Sequence, residues 1–232
     1  MKNWIILVVL FLVGPMAMAG NFEVEVEPFN HVRILGNYRV VLQKGDSVKV
    51  EVNNNDEDVD DDKIICEVDD DQELTIRIKA DTYKEREIEI IITYTDLEVI
   101  QGKFGCRIEM KNPIEQDEIR IAMESGSKIR ATVDLKKLNA EISAGGSIHV
   151  DGKVLNAAYK VSAGGTIGAA SLIATSVAAT VRAGGEVICY AEEDLAIKIT
   201  SGGNVSYLGE PEGFEQNITL GGKITKLKNP KE

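Results

Sequence analysis

Gly145-Gly-Ser-Ile148, Gly164-Gly-Thr-Ile167, Gly184-Gly-Glu-Val187, Gly202-Gly-Asn-Val205 and Gly221-Gly-Lys-Ile224 punctuate the second half of this chain, and Gly126-Ser-Lys-Ile129 is the same element with one glycine fewer. Their final residues are spaced 19, 19, 20, 18 and 19 apart. A near-constant period of that length, with β-type content and no helical run, makes each repeat one turn of a coil stacked on the next. A weaker forerunner, Gly105-Cys-Arg-Ile108, lies 21 residues before Ile129. Coils joined by backbone ladders sit about 4.8 Å apart, so six or seven of them rise to about 30 Å. The fold expected is an all-β, right-handed parallel β-helix, because parallel crossovers are almost always right-handed.

Each coil must turn the same corner, and glycine reaches positive φ there without the penalty a Cβ would carry. Ahead of the corner, Ile142, Val161, Val181, Ile199 and Ile218 are expected to fill the interior with the Ile or Val after it. The alanines of Ala169-Ala170 and Ala178-Ala179 are expected to keep that interior narrow.

Upstream the pattern is strictly alternating, which marks half-buried strands. The runs are Phe22, Val24, Val26; Val48, Val50, Val52; Ile64, Cys66, Val68; Leu74, Ile76, Ile78; and Ile88, Ile90, Ile92, Tyr94. Turn-forming or solvated segments separate them, among them Gly45-Asp46 and the acidic stretch from Asn53 to Asp62. These strands are expected to cap or continue one end of the coil stack, whose exposed edge would otherwise recruit other chains. At the other end Lys226, Lys228, Pro230 and Lys231 suit blocking further stacking, with a frayed tail as the alternative reading.

The first 19 residues read as a secretory signal, with Lys2 as a basic start, an apolar run from Trp4 to Val13 and Ala17-Met18-Ala19 as the cleavage site. The organisation expected is therefore a signal over 1–19, a β-strand region over 20–100, β-helix repeats over 101–226 and a tail over 227–232. The apolar run is about half the roughly twenty residues needed to span a bilayer, so no transmembrane segment is expected. Location in the periplasm, at the outer membrane or on the cell surface follows. A formal net charge of −12 repels nucleic acid and anionic headgroups. The single tryptophan, Trp4, departs with the signal, leaving tyrosine and phenylalanine for any stacking platform.

Three cysteines remain, Cys66, Cys106 and Cys189. The repeat places Cys106 and Cys189 about 19 Å apart, beyond the roughly 7 Å between Cα atoms that a disulfide tolerates. Cys66 with Cys106 stays open, beside the plainer reading of buried free thiols. Asp56, Asp58 and Asp60 are spaced as D-x-D-x-D, and Glu67 falls where a calcium loop places its bidentate carboxylate. Against calcium, Asp61 stands where that loop wants glycine and the flanks are strands, so a solvated loop is the preferred reading and no cofactor is expected. His31 and His149 have no Ser or Cys nucleophile motif beside them, and no catalytic residue is assigned. Carboxylate-pair hydrolysis by exposed acids such as Glu186 or Asp151 is an alternative, disfavoured by a repeat too uniform to build a walled cleft.

The chain resembles the auto-transporter adhesin, head GIN domain family of bacterial, often Bacteroidetes, envelope proteins. The likeness is carried by Phe29-Asn-His-Val-Arg-Ile34, Tyr38 to Gln43 with Gly45-Asp46, Glu73-Leu-Thr-Ile76, Leu97-Glu-Val-Ile100, the serial Gly-Gly corners and the closing Val205-Ser-Tyr-Leu-Gly209 with Pro211. The resemblance implies a parallel β-helix at the cell envelope and a role in adhesion, with no established site residues to carry over. A non-catalytic binding module for a glycan or envelope polymer is the first expectation, a self-associating structural element the second and a polysaccharide-acting enzyme a distant third.

Overall fold

The structure, a computed structural model, describes residues 20–80 and 82–228. The signal segment and the tail residues Pro230 and Lys231 lie outside the described residues. Seventeen strands form one continuous sheet wound into a coil. The first half holds β1 (Asn21–Val24), β2 (His31–Leu35), β3 (Arg39–Lys44), β4 (Lys49–Asn54), β5 (Ile64–Val68), β6 (Glu73–Ile78) and β7 (Ile88–Tyr94). Then come β8 (Val99–Lys103), β9 (Arg107–Met110), β10 (Ile114–Glu124), β11 (Lys128–Ser143), β12 (Ser147–Val161) and β13 (Thr166–Ala183). The chain closes with β14 (Glu186–Ser201), β15 (Asn204–Leu208), β16 (Gly213–Leu220) and β17 (Lys223–Lys226).

From β10 to β17 every pairing between coils is parallel, and the repeat's residues meet in register, as in Ile129 with Ile148, Ile148 with Ile167, Ile167 with Val187 and Val187 with Val205. The chain is thus a parallel β-solenoid with coils of about nineteen residues. The register slips between His149 and Gly152, where the coil takes up its twentieth residue, and again between Ala169 and Ser176, where the next coil is shorter.

The alternating strands form as expected, and they both continue the solenoid and cap it. Strands β2 and β3 lie parallel to β8 and β9 on one side and to β6 and β7 on the other, adding two further coils. Their order in space is not their order in the chain. The β2–β3 coil is laid down first, the chain passes outward to form β6–β7 beyond it, then returns to build β8–β9 on its other side. Antiparallel strands finish that end: β4 on β7, β1 on β4 and β5 on β6.

One hydrophobic cluster runs through the coil from Phe29 to Val205. Ile142, Val161, Val181 and Ile199 are at most 1% exposed, but Ile218 is 43% exposed because, among the described residues, β16 is the last strand of its ladder and nothing stacks over it. Only one alanine of each adjacent pair faces inward. Ala169 and Ala179 are buried whereas Ala170 and Ala178 point to solvent, since neighbouring residues of a strand alternate faces.

The corner explains why two glycines recur. Gly145 (φ +81°) has open space where its Cβ would stand, whereas a Cβ on Gly146 (φ +109°) would lie 2.3 Å from the carbonyl oxygen of Ser127 in the coil below. The first glycine serves conformation and the second also serves close approach. At the earlier corner Ser127 takes the second position and is fully buried, its Oγ accepting a hydrogen bond from the Gly105 N–H at 3.2 Å.

Candidate functional site

Stacking in register turns single residues into rows. Each lying between two inward residues, Ala158, Ala178 and Ala196 line up on consecutive coils and face outward, Ala158 opposite Ala178 and Ala178 opposite Ala196. Beside them runs a polar row of Asn156, Ser176 and Asp194, paired coil to coil in the same way. These rows floor and wall a shallow open groove of about 420 Å³, closed at its ends by Lys137 and Glu215. Ser176 donates its hydroxyl to Asp194 Oδ2 at 3.1 Å, and Lys137 Nζ stands 2.7 Å from Glu118, so the rim is set by hydrogen bonds and ion pairs. A flat apolar floor beside a row of amide, hydroxyl and carboxylate groups can take the apolar face of a ring or chain and hydrogen-bond its polar edge.

A second depression, of about 570 Å³, lies over another face and includes exposed Leu155 and Ile173 among Asp117, Lys136, Lys153 and Glu192. Lys136 Nζ lies 2.8 Å from Asp117. The exterior is therefore not featureless, as the uniform period suggests. Its hollows come from small residues in register rather than from inserted loops. The alanine row could have been read from the sequence by keeping the alternation in phase through each repeat.

The acidic loop is held by pairing. Asp56 accepts from the Asp58 N–H at 3.0 Å and lies 3.5 Å from the Arg86 guanidinium, both side chains being nearly buried. Asp58 pairs with Lys84 at 2.5 Å, and Asp60 with Lys63 at 2.5 Å. Lys84 holds the Asp58 carboxyl below its usual range, first by its hydrogen bond and then by its charge. Glu67 sits on β5 facing Arg77 of β6 at 3.8 Å. Each of Asp56, Asp58, Asp60 and Glu67 thus has its own cation, and among the described residues no group of three or more His, Cys, Asp or Glu side chains could hold a metal ion.

Cys66, Cys106 and Cys189 are all free thiols, so the Cys66–Cys106 pairing left open by the sequence does not form. Burial pushes the Cys66 and Cys189 thiols up to about 12 and that of Cys106 up to about 11. Such thiols are poor nucleophiles. His31 lies 3.6 Å from Glu98, and the His149 ring is what a Cβ on Gly168 of the next coil would meet. Asp151 stands in the middle of the coil on β12, while Glu186 opens β14 at a corner two coils on. No helix of the described residues is long and apolar enough to cross a membrane.

A family model described as "Putative auto-transporter adhesin, head GIN domain" matches residues 28–211. The chain belongs to that family. Among solved structures of similar shape, a putative adhesin of Bacteroides fragilis superposes with a TM-score of 0.82 at 20% identity, covering 92% of this chain and 99% of that one. A putative adhesin of Parabacteroides merdae gives 0.71 at 16% identity, over 90% and 96% of the two chains. A putative lipid binding protein of Parabacteroides distasonis gives 0.71 at 19%, with the same coverage. At these identities the likeness establishes a shared fold. No curated protein matches the chain. The matched span of the head GIN domain includes β4 and β5 of the antiparallel cap, the out-of-order coils and the alanine floor; it leaves out β1 and stops two residues before β16.

Proposed function

We propose that this member of the head GIN domain family is an exported, non-catalytic binding module of the bacterial cell envelope, and that it takes a glycan or other regular envelope polymer along the groove floored by Ala158, Ala178 and Ala196. The observation that carries the reading is the in-register repetition of that floor and of the Asn156, Ser176 and Asp194 row beside it. The alanine floor recurs at the coil spacing, about 4.8 Å, so a polymer of repeated units meets the same apolar strip from one coil to the next, with a hydrogen-bonding group beside each step. A polar row against an apolar strip suits sugars, which present both hydroxyl edges and C–H faces. The groove is open along its length, which favours binding over chemistry that needs water excluded.

Export and an envelope location rest on the signal-like residues 1–19 and on family membership. The test is binding of the purified mature chain to an array of glycans and envelope polymers, with and without calcium. Saturable, calcium-independent binding is expected. Binding that appears only with calcium would move the site to Asp56, Asp58 and Asp60, and a blank array would end the polymer reading.

A further inference from the structure

The two ends of the solenoid are unlike. One is closed by antiparallel β1, β4 and β5. At the other, Phe214 is 40% exposed, Ile218 43%, Leu220 71% and Leu227 37%, four of the seven large apolar side chains exposed among the described residues. Strand β16 pairs with β14 along one edge, and its other edge has no strand against it among the described residues. Natural edge strands are guarded by lysine, proline or a bulge. Strand β17 has that guard in Lys223 and Lys226, but β16 reads Gly213-Phe-Glu-Gln-Asn-Ile-Thr-Leu220, with one charge and no proline. The lysines expected to block stacking protect only half of the end.

We propose that β16 is a homotypic interface, at which two copies of this protein join end to end by antiparallel pairing about a two-fold axis through Gln216. Three features select a second copy as the occupant. The far end finishes on antiparallel β1 and β5, which do not present the parallel coil that β16 stacks on within the chain, so head-to-tail joining would not continue the solenoid, whereas a contact between like ends is isologous and stops at two. The strand is also self-complementary about Gln216: Phe214 of one copy faces Ile218 of the other, Glu215 faces Asn217, and Gln216 faces itself. A carboxamide both donates and accepts, so two can bond to each other. Gln216 occupies an inward position that the coils below fill with Ile197, Ala179 and Tyr159, paired in series through the ladders. Finally, Glu212 precedes the strand and Lys223 follows it, while Glu210 is already paired with Lys226 of its own copy. Antiparallel pairing brings the acidic entry of each strand toward the basic exit of the other, whereas parallel pairing would set like toward like.

Phe214 is already seated for this contact, its ring 5.5 Å from that of Tyr207. The joined sheets would also bring the two alanine grooves, each ending at Glu215, onto one continuous face.

Light scattering of the mature chain over a concentration series tests the pairing. The expected result is a rise to twice the monomer mass and no further. Ile218→Lys, at a side chain 43% exposed in the single copy, should leave the thermal melt of the monomer unchanged and weaken dimerisation at least about tenfold, since it sets a charged side chain against Phe214 of the other copy, where pairing would desolvate it. Directly opposed residues of an antiparallel pair have Cα atoms about 4.5–5.5 Å apart, within disulfide range. In a Cys66→Ser background, Gln216→Cys should therefore bridge two copies on mild oxidation, while Leu220→Cys, opposite Glu212, should not. A monomer at every concentration without bridging, a dimer indifferent to Ile218→Lys, or preferential bridging through Leu220→Cys would each overturn the proposal. So would loss of polymer binding by Ile218→Lys in a chain that is monomeric throughout, which would assign this end to ligand.

Discussion

Replacing each glycine of one corner by alanine separates its two jobs. Gly145 and Gly146 are neighbours with φ of +81° and +109°, but only the second would drive its Cβ into backbone, 2.3 Å from the Ser127 oxygen. Alanine in the left-handed region costs about 1–2 kcal/mol, offset by about 0.4–1 kcal/mol from the stiffer unfolded chain. Gly145→Ala should therefore destabilise by about 1 kcal/mol. Gly146→Ala carries a similar conformational term plus a collision that a side-chain rotation cannot relieve, since the neighbour is main chain. Overpacking of that kind costs about 1–3 kcal/mol, for a total of about 3 kcal/mol. In a domain of this length 1 kcal/mol moves the melting temperature by about 2–4 °C, so the two shifts should be about 3 °C and about 9 °C. Thermal melts followed by far-ultraviolet circular dichroism read both, and Gly164→Ala, where nothing lies within 4 Å of the added carbon, should repeat the smaller one. Equal shifts at Gly145 and Gly146, or the reverse order, would refute close approach between coils as the reason for the second glycine.

Tyr159 is 1% exposed and its hydroxyl has no hydrogen-bond partner; Tyr159→Phe should leave stability unchanged or raise it by about 1 kcal/mol in urea melts, and a clear loss would mean the hydroxyl is satisfied in the native state. The three buried thiols hold their protons above the unfolded value, so the folded chain binds more protons between about pH 9 and 11 and stability falls as pH rises through that window. Cys189→Ala, matching Ala169 in the coil below, should flatten that loss by about 2 kcal/mol at pH 10.5 in paired urea melts; an unchanged slope would contradict it. Glu141 is bound by Arg120 at 2.8 Å and Lys160 at 3.2 Å, on the coils either side, and the Arg120 hydrogen bond, followed by that of Lys160, lowers its pKa. Its contribution is present above the unfolded pKa and lost as pH falls through the lowered one, so Glu141→Gln should reduce acid sensitivity by less than about 1 kcal/mol, as solvent screens the group; greater acid sensitivity would show the ladder works otherwise.

The coil was legible because its signal is periodic: the Gly-Gly corners set the rise of the stack, and alternation upstream located strands such as Leu74–Ile78 and Ile88–Tyr94. What did not show was spatial order. Nothing in β2 and β3 says that β6 and β7 pass beyond them before β8 returns, because each strand carries the same alternating pattern and the choice lies in which ladder closes. The acidic loop advertised itself through spacing, but two of the cations that pair with it, Lys84 and Arg86, come from a segment over twenty residues away. The alanine floor was written in the repeat, yet Ala178 looks like interior filling until its parity is followed from Val177 and Ala179. Strand β16 reads as one more coil, and its exposure follows from being last.

The most direct test of the binding account is an isotherm of the mature chain with whichever polymer the array selects, beside Ala178→Arg. Ala178 faces solvent, so the variant should fold and melt like the parent while its affinity drops at least about tenfold, because the long charged side chain fills the floor of the groove. Undiminished binding by a folded Ala178→Arg chain would contradict the account and place the ligand elsewhere on the solenoid.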